Sequence, residues 1–314
     1  MYMMKKVLVL STSDVLGIPA ILRLKQSNAL AALAITDKVA HDFLPILENV
    51  GFKRDEVYVL SHKNLERELT ALITNCQPDA LFTITFSWMI PSAILNLLPN
   101  RCINFHFGLL PKYKGAEPVF WQIKNGEPFG GITIHVMTVE LDGGPILMVE
   151  ELPIYPGETY GLNAERLGAL AADVVTKVVN GLDTMDMLPV TQPEGPSLFL
   201  KAPTHADQTI NWEQQTATQI EQLVNASNPR YAGAITVFRK SKIYFLEVSP
   251  ADLHNPNNDQ LPPGTIVHAD LLYGLVIACI NKEFIKINIV CMQQGYFSGS
   301  KLFSLGFRVG EVFG

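Results

Sequence analysis

The chain has 314 residues, 48% of them apolar and 17% charged, which places it among globular proteins and apart from disordered or fibrous ones. That length accommodates two domains. A formal net charge of -6 argues against a partner held by phosphate neutralisation. The four cysteines, Cys76, Cys102, Cys279 and Cys291, are far apart and form no C-x-x-C pair, so neither a zinc site nor a disulfide frame is expected.

Two lysines precede a short apolar run, Val7-Leu8-Val9-Leu10. The run is too short for a signal sequence or a membrane span and reads as a first buried strand, so a cytoplasmic protein without membrane contact is expected. Strand-like and helix-like patterns then alternate. Strands are predicted over 6–11, 30–36, 56–60, 79–85 and 101–106, with helices over 19–26, 40–50, 64–75 and 91–98 between them. In the third helix Leu65, Leu69, Leu72 and Ile73 share one face. Strand, helix, strand in this order implies parallel pairing with right-handed crossovers, hence an α/β fold with a Rossmann-like, doubly wound, mostly parallel sheet. The first turn, residues 11–17, lacks the paired glycines of G-x-G-x-x-G, so no nucleotide cofactor is expected. No metal motif is visible either.

The fifth strand ends in Asn104 and His106, which period-2 geometry sends to one side, and it breaks into a loop marked by Gly108, Pro111, Gly115 and Pro118. An amide and an imidazole at a strand end are where an open α/β sheet keeps its chemistry, although a satisfied structural histidine at such a junction is the plainer reading. A second stretch, 139–146, puts the carboxylate of Asp142 on a glycine-rich turn, in which Gly143 and Gly144 are free to take positive φ. An amide, an imidazole and a carboxylate brought together form a proton-handling and oxyanion-stabilising set. The turn joins strands at 132–137 and 146–152. A long helix over 160–179 follows, with Thr159 as its N-cap and Asn180-Gly181 as its stop. His135, inside a strand, reads as a structural, hydrogen-bonded histidine.

Composition shifts at the Pro/Gly-rich stretch 189–206, which reads as a linker between a catalytic domain, 1–188, and a C-terminal domain, 207–314. The latter opens with a polar helix over 216–226 and continues in short β runs at 234–239, 242–250, 264–268, 274–280 and 284–292, the pattern of a small β-barrel.

Asn104-x-His106 followed by Leu109-Leu110-Pro111, the run Lys112-Tyr113-Lys114-Gly115, and Leu141-Asp142-Gly143-Gly144-Pro145-Ile146 together resemble the 10-formyltetrahydrofolate-dependent formyltransferases. Asn211-Trp212, the run from Asn228 to Ala234, and Pro263 to Val267 resemble the opening of that family's OB-like C-terminal barrel, so the resemblance covers nearly the whole chain. It implies the formyltransferase fold, 10-formyltetrahydrofolate as formyl donor, and Asn104, His106 and Asp142 as catalytic residues, with the base left open between His106 and Asp142. It also implies a folate site on two loops and their walls: Phe86, Ser87, Trp88, Met89, Ile90, Leu110, Val139, Glu140 and Leu141. Trp88 and Phe86 read equally as core, and Glu140 as a surface turn residue. Lys112 and Lys114 read either as a solvated loop or as guides for an anionic acceptor or the folate tail.

Two departures from the family pattern stand out. The family usually has a serine before Leu-Leu-Pro where this chain has Gly108, so one side-chain hydrogen bond near the site is missing, and its transfer-RNA enzyme carries a longer basic loop where residues 36–40 are short and nearly neutral. With the net charge, the short loop favours a small or sugar-nucleotide amine over methionyl-tRNA. Hydrolysis of the donor and a folate-binding module without catalysis are the remaining alternatives.

Overall fold

The computed structural model describes residues 5–13, 15–182, 188–194, 198–253 and 261–314. Gly195 and Pro196 of the expected linker lie outside them. The chain divides into two compact units.

The first unit comprises the chain up to Pro118, Phe129–Pro153 and Ala164–Leu200. It is built on strands β1 (Val7–Ser11), β2 (Leu30–Thr36), β3 (Val57–Leu60), β4 (Ala80–Ile84), β5 (Cys102–His106), β7 (Phe129–Val136) and β8 (Ile146–Pro153), in the spatial order β3-β2-β1-β4-β5-β7-β8. The first five in that order run parallel; β7 and β8 run antiparallel to their neighbours. β1 and β4 are buried at every residue, as expected of central parallel strands covered on both faces. Helices α1 (Ile18–Gln26), α2 (Asp37–Asn49), α3 (Leu65–Cys76) and α4 (Ser92–Leu97) supply the crossovers. Leu65, Leu69, Leu72 and Ile73 of α3 pack with Leu8, Leu10, Ala34, Leu81 and Trp88. The strand order reverses between β1 and β4, the topological switch point at which α/β sheets hold ligands.

The expected loop at 36–40 is not a loop. α2 begins at Asp37, directly after β2, with that aspartate in its first turn where the helix dipole favours negative charge. Two three-residue strands, β6 (Tyr113–Gly115) and β9 (Leu198–Leu200), pair in parallel and are too short to register as a hydrophobic pattern. Within 189–206, Val190 exchanges two backbone hydrogen bonds with Ile146, and β9 joins β6, so much of the stretch read as linker is bonded into this unit.

The second unit comprises Val119–Pro128, Ile154–Asn163 and Lys201–Gly314. Helix α5 (Pro118–Lys124) falls almost entirely within it, and α6 (Tyr160–Gly181) starts in it, where Leu162 donates its N–H to Thr159 Oγ1 at 3.4 Å. Helix α7 (Ala217–Ser227) opens with a capping box: Gln219 N–H donates to Thr216 Oγ1 and Thr216 N–H to Gln219 Oε1. Strands β10 (Ala234–Phe238), β11 (Ser241–Ala251), β12 (Ile266–Asp270), β13 (Gly274–Ala278), β14 (Phe284–Met292) and β15 (Gly295–Ser298) form an antiparallel sheet in the order β10-β11-β14-β13-β12, with β15 on β14 and α8 (Gly299–Ser304) after it. Residues 311–314 bond to Gly264 and Ile266 beside β12 and to Val237 of β10, so the two ends of the sheet are joined through them. Trp212, Phe238, Phe245, Phe307 and Phe313 fill the interior; the buried Trp212 indole donates to Thr236 Oγ1 at 3.0 Å.

Candidate active site

Strand register brings the polar side chains together. Thr83 of β4, Asn104 of β5 and His135 of β7 are direct partners across three adjacent strands, and His106 is opposite Thr133. Residues paired in this way share a face of the sheet. Thr83 Oγ1 donates to Asn104 Oδ1 at 2.6 Å, which turns the amide so that Nδ2 points to Asp142 Oδ1 (3.3 Å) and His135 Nε2 (3.1 Å).

Asp142 is held by every group around it. Its Oδ2 accepts the Gly115 N–H at 2.9 Å and lies 3.6 Å from His106 Nδ1; its Oδ1 lies 3.4 Å from His135 Nε2. His106, His135 and Asp142 are all buried. Each imidazole has its other nitrogen beside a backbone carbonyl: His106 Nε2–H donates to Tyr113 O at 2.6 Å, and His135 Nδ1 lies 3.1 Å from Val136 O. A carbonyl accepts only, so the Tyr113 contact sets the His106 tautomer and leaves Nδ1 with its lone pair toward the carboxylate.

The electrostatics follow. Burial alone would raise the Asp142 carboxyl, but the hydrogen bond from His135, the positive charge available to His106 and the Gly115 N–H outweigh it and bring it down to about 2. Burial lowers His106 below 6.5, against the opposing pull of Asp142 and the Tyr113 carbonyl. At neutral pH the pair is therefore a carboxylate beside a neutral imidazole. Burial pushes the Cys102 thiol at the start of β5 up to about 12, so it supplies no nucleophile.

The turn differs from expectation in which residue bears the unusual backbone. Asp142 itself has φ of 51°, while Gly143 and Gly144 are not in the left-handed region. Gly144 is needed for closeness instead: a Cβ there would sit inside the Val136 carbonyl oxygen, on the strand that returns past the turn. Gly115 is needed for both reasons, with φ of 100° and the Leu200 carbonyl against its α-carbon. Thr85, at the end of β4, has φ of 59°, a costly conformation for a β-branched residue, and its carbonyl accepts the Thr12 N–H at 3.1 Å.

A cavity opens beside Asn104, His135 and Asp142. Of the residues expected to hold folate, Phe86, Trp88, Met89, Ile90, Glu140 and Leu141 line it. Ser87 and Val139 are exposed and do not, and Leu110 is buried with its N–H on Thr133 Oγ1, one row further along the sheet. Trp88 lines the cavity and is also packed against the α3 core, so both readings of it hold; its buried Nε1–H has no partner among the described residues. Lys114 Nζ lies 3.3 Å from Glu140 Oε1, joining the two loops that the sequence singled out.

His135 is buried and hydrogen-bonded, as its reading as a structural histidine expects, and it also stands beside Asp142 in the cluster. The available signal was the alternation Thr133-x-His135 in an apolar strand, two polar residues on one face. Among the described residues no group of three or more His, Cys, Asp or Glu side chains is arranged to hold a metal, and no helix is long and apolar enough to cross a membrane.

An amide, two imidazoles and one carboxylate are thus gathered where β4, β5 and β7 of a doubly wound sheet lie side by side. The chain belongs to the formyl transferase family: residues 6–179 match the formyl transferase domain and residues 203–301 the formyl transferase C-terminal domain. It is 34% identical over 214 residues to a methionyl-tRNA formyltransferase of Aromatoleum aromaticum, a match spanning 68% of this chain and 64% of that one. Among solved structures, a sugar N-formyltransferase from Shewanella sp FDAARGOS_354 is similar in fold, with a TM-score of 0.63 at 23% identity over 80% of this chain and all of that one. HypX from Aquifex aeolicus in complex with tetrahydrofolic acid is similar over 96% of this chain and 48% of its own length, with a TM-score of 0.61 at 15% identity.

Proposed function

We propose that this chain transfers the formyl group of 10-formyltetrahydrofolate to a primary amine on a small molecule or sugar nucleotide. The observation that carries this reading, beside membership of the family, is the single carboxylate of Asp142 within 3.6 Å of Asn104, His106 and His135. The amine nitrogen attacks the formyl carbon, and the carbonyl oxygen becomes an oxyanion. Asn104 Nδ2, turned outward by the Thr83 hydroxyl, is the donor for that oxyanion, a contribution of about 3 kcal/mol for one such donor. The proton leaving the amine goes to Nδ1 of His106, the nitrogen of that ring not used by a backbone carbonyl. The C–N10 bond then breaks and N10 takes that proton, giving the formamide and tetrahydrofolate. Asp142 is too weak a base for the task with its carboxyl near 2; it stabilises the imidazolium that forms on His106.

The charge balance supports a small acceptor. From residue 207 onward eight lysines and arginines face nine aspartates and glutamates. Arg239, a natural candidate for a phosphate contact, is instead bidentate on Glu311, donates to Gly306 O and stacks on Phe238. Methionyl-tRNA is the second reading, favoured by the name of the 34% identical relative.

Incubating the protein and 10-formyltetrahydrofolate with amino-sugar nucleotides, with aminoacylated initiator transfer RNA, and with no acceptor tests the proposal. Tetrahydrofolate release that needs a small amine supports it. Release that needs the transfer RNA establishes the second reading, equal release without acceptor makes the protein a hydrolase, and binding without release leaves a folate-binding module.

A further inference from the structure

Residues 188–194 lie beyond α6, in a stretch whose composition reads as a spacer, yet Gln192 reaches back to the turn that carries Asp142. Its Nε2 donates to Asp142 O at 2.7 Å and to Gly144 O at 2.8 Å. Two residues earlier, Val190 and Ile146 exchange N–H···O bonds of 2.7 and 2.8 Å, which seats the segment on the far side of the same turn. The orientation of the amide is informative. Both donors go to the turn, while Gln192 Oε1 is left buried without a partner among the described residues. A buried acceptor left unmade is unfavourable, so the arrangement favours the turn at the expense of the side chain's own hydrogen bonding.

The turn needs such support. Asp142 has φ of 51°, where a residue with a Cβ is disfavoured, and its carbonyl is one of the two that Gln192 Nε2 bonds. A relaxed φ would swing the carboxylate off Gly115, His106 and His135 together. The same downstream segment continues into β9, whose pairing with β6 places Tyr113 O on His106 Nε2 and Gly115 N–H on Asp142 Oδ2. Residues 190–192 and 198–200 thus touch both halves of the site without contributing an atom to the reacting groups.

We propose that Gln192 is a positioning residue, which clamps the Asp142 turn so that its carboxylate stays against His106 and His135. This rests on the catalytic reading of Asn104, His106 and Asp142. The charged or titratable groups facing the His106 ring are Asp142 and His135, and the Tyr113 carbonyl fixes its other nitrogen. Loosening Asp142 removes the attraction that opposes burial, so His106 binds its proton less tightly.

The test uses Gln192→Glu, which is isosteric but sets a carboxylate against two carbonyl oxygens, and Gln192→Ala, which removes the clamp. The full chain is labelled at the histidine ring carbons, His106 is assigned with a His106→Gln variant, and its titration is followed by NMR. The expected result is a His106 titration displaced to lower pH in both variants. kcat falls about 10- to 100-fold, KM for the donor changes less than about threefold, and the acid limb of the rate follows the NMR titration. An unmoved His106 titration, or a loss confined to KM, would overturn the assignment. The titration is read whether or not formyl transfer occurs. A displaced titration in a protein with no formyl transfer therefore refutes the functional reading and leaves the clamp standing.

Discussion

Asp142→Asn separates charge from shape at the centre of the site. The carboxylate lies 3.6 Å from His106 Nδ1. At an effective dielectric between bulk water and about 20, that separation corresponds to roughly 1–5 kcal/mol of attraction for an imidazolium, or about one to three pH units. Removing the negative charge lowers the proton affinity of His106, so the acid limb of the rate, already below 6.5, moves to still lower pH while the plateau rate falls. A second effect comes from geometry. Gly115 N–H requires an oxygen at 2.9 Å, so the new amide turns its NH2 toward Asn104 Nδ2, which is itself a donor held by Thr83. That donor-on-donor contact costs about 1–3 kcal/mol and displaces the oxyanion donor. Together these give a fall in kcat of roughly 10²- to 10⁴-fold, the range of a lost acid–base function. The assay is single-turnover formyl transfer from pH 5 to 8, with donor affinity measured separately by equilibrium binding. A loss smaller than about tenfold with the acid limb unmoved would refute the assignment of His106 as base and Asp142 as its counter-charge.

Gly108→Ser restores the residue usual in the family, but here its Cβ would lie 2.9 Å from His106 Nε2 and 2.8 Å from Pro118 Cβ. The expected outcome is a stability loss of about 1–3 kcal/mol with lower kcat, checked by thermal melting and turnover; a neutral or more active variant contradicts it. Gly144→Ala drives a methyl into the Val136 carbonyl, and a comparable stability loss with weakened transfer is expected. Acid stability tests Asp142 directly. Its carboxyl lies below its ordinary 3.8, at about 2, so its contribution is complete above pH 4 and is lost as pH falls through about 2. In urea titrations over that window, the wild type should lose about 2 kcal/mol more than Asp142→Asn, and parallel curves would remove the assignment.

Much of the candidate site was legible because its chemistry interrupts a pattern. Asn104 and His106 stand out by being polar at the end of an apolar strand, and Asp142 by its glycine turn. The parallel core was legible for the same reason, since β1, β2 and β4 are buried runs separated by helical periods. His135 was legible only in part: its alternation with Thr133 marks a polar face of the strand, but only the pairing of β5 with β7 puts it opposite Asn104. Gln192 was hidden for a different reason. Proline-rich composition says that a segment forms no helix or long strand, and nothing about the hydrogen bonds its side chains reach. The loops expected to hold folate were half legible: the family resemblance located them, but whether Ser87 or Met89 faces the cavity depends on backbone twists that begin at the left-handed Thr85.

The pairing of β6 with β9 also orders events in time. Tyr113 of β6 waits for Leu198, about 85 residues downstream, and the closure of a loop that long is entropically slow compared with the adjacent crossovers of the parallel sheet. A chain emerging from the ribosome can thus complete β1 to β8 while the Tyr113 carbonyl and Gly115 amide still lack the strand that holds them. Assembly of the candidate site becomes one of the last steps in the maturation of this unit, and translational pausing before residue 200 would accumulate a folded sheet in which that site is unformed.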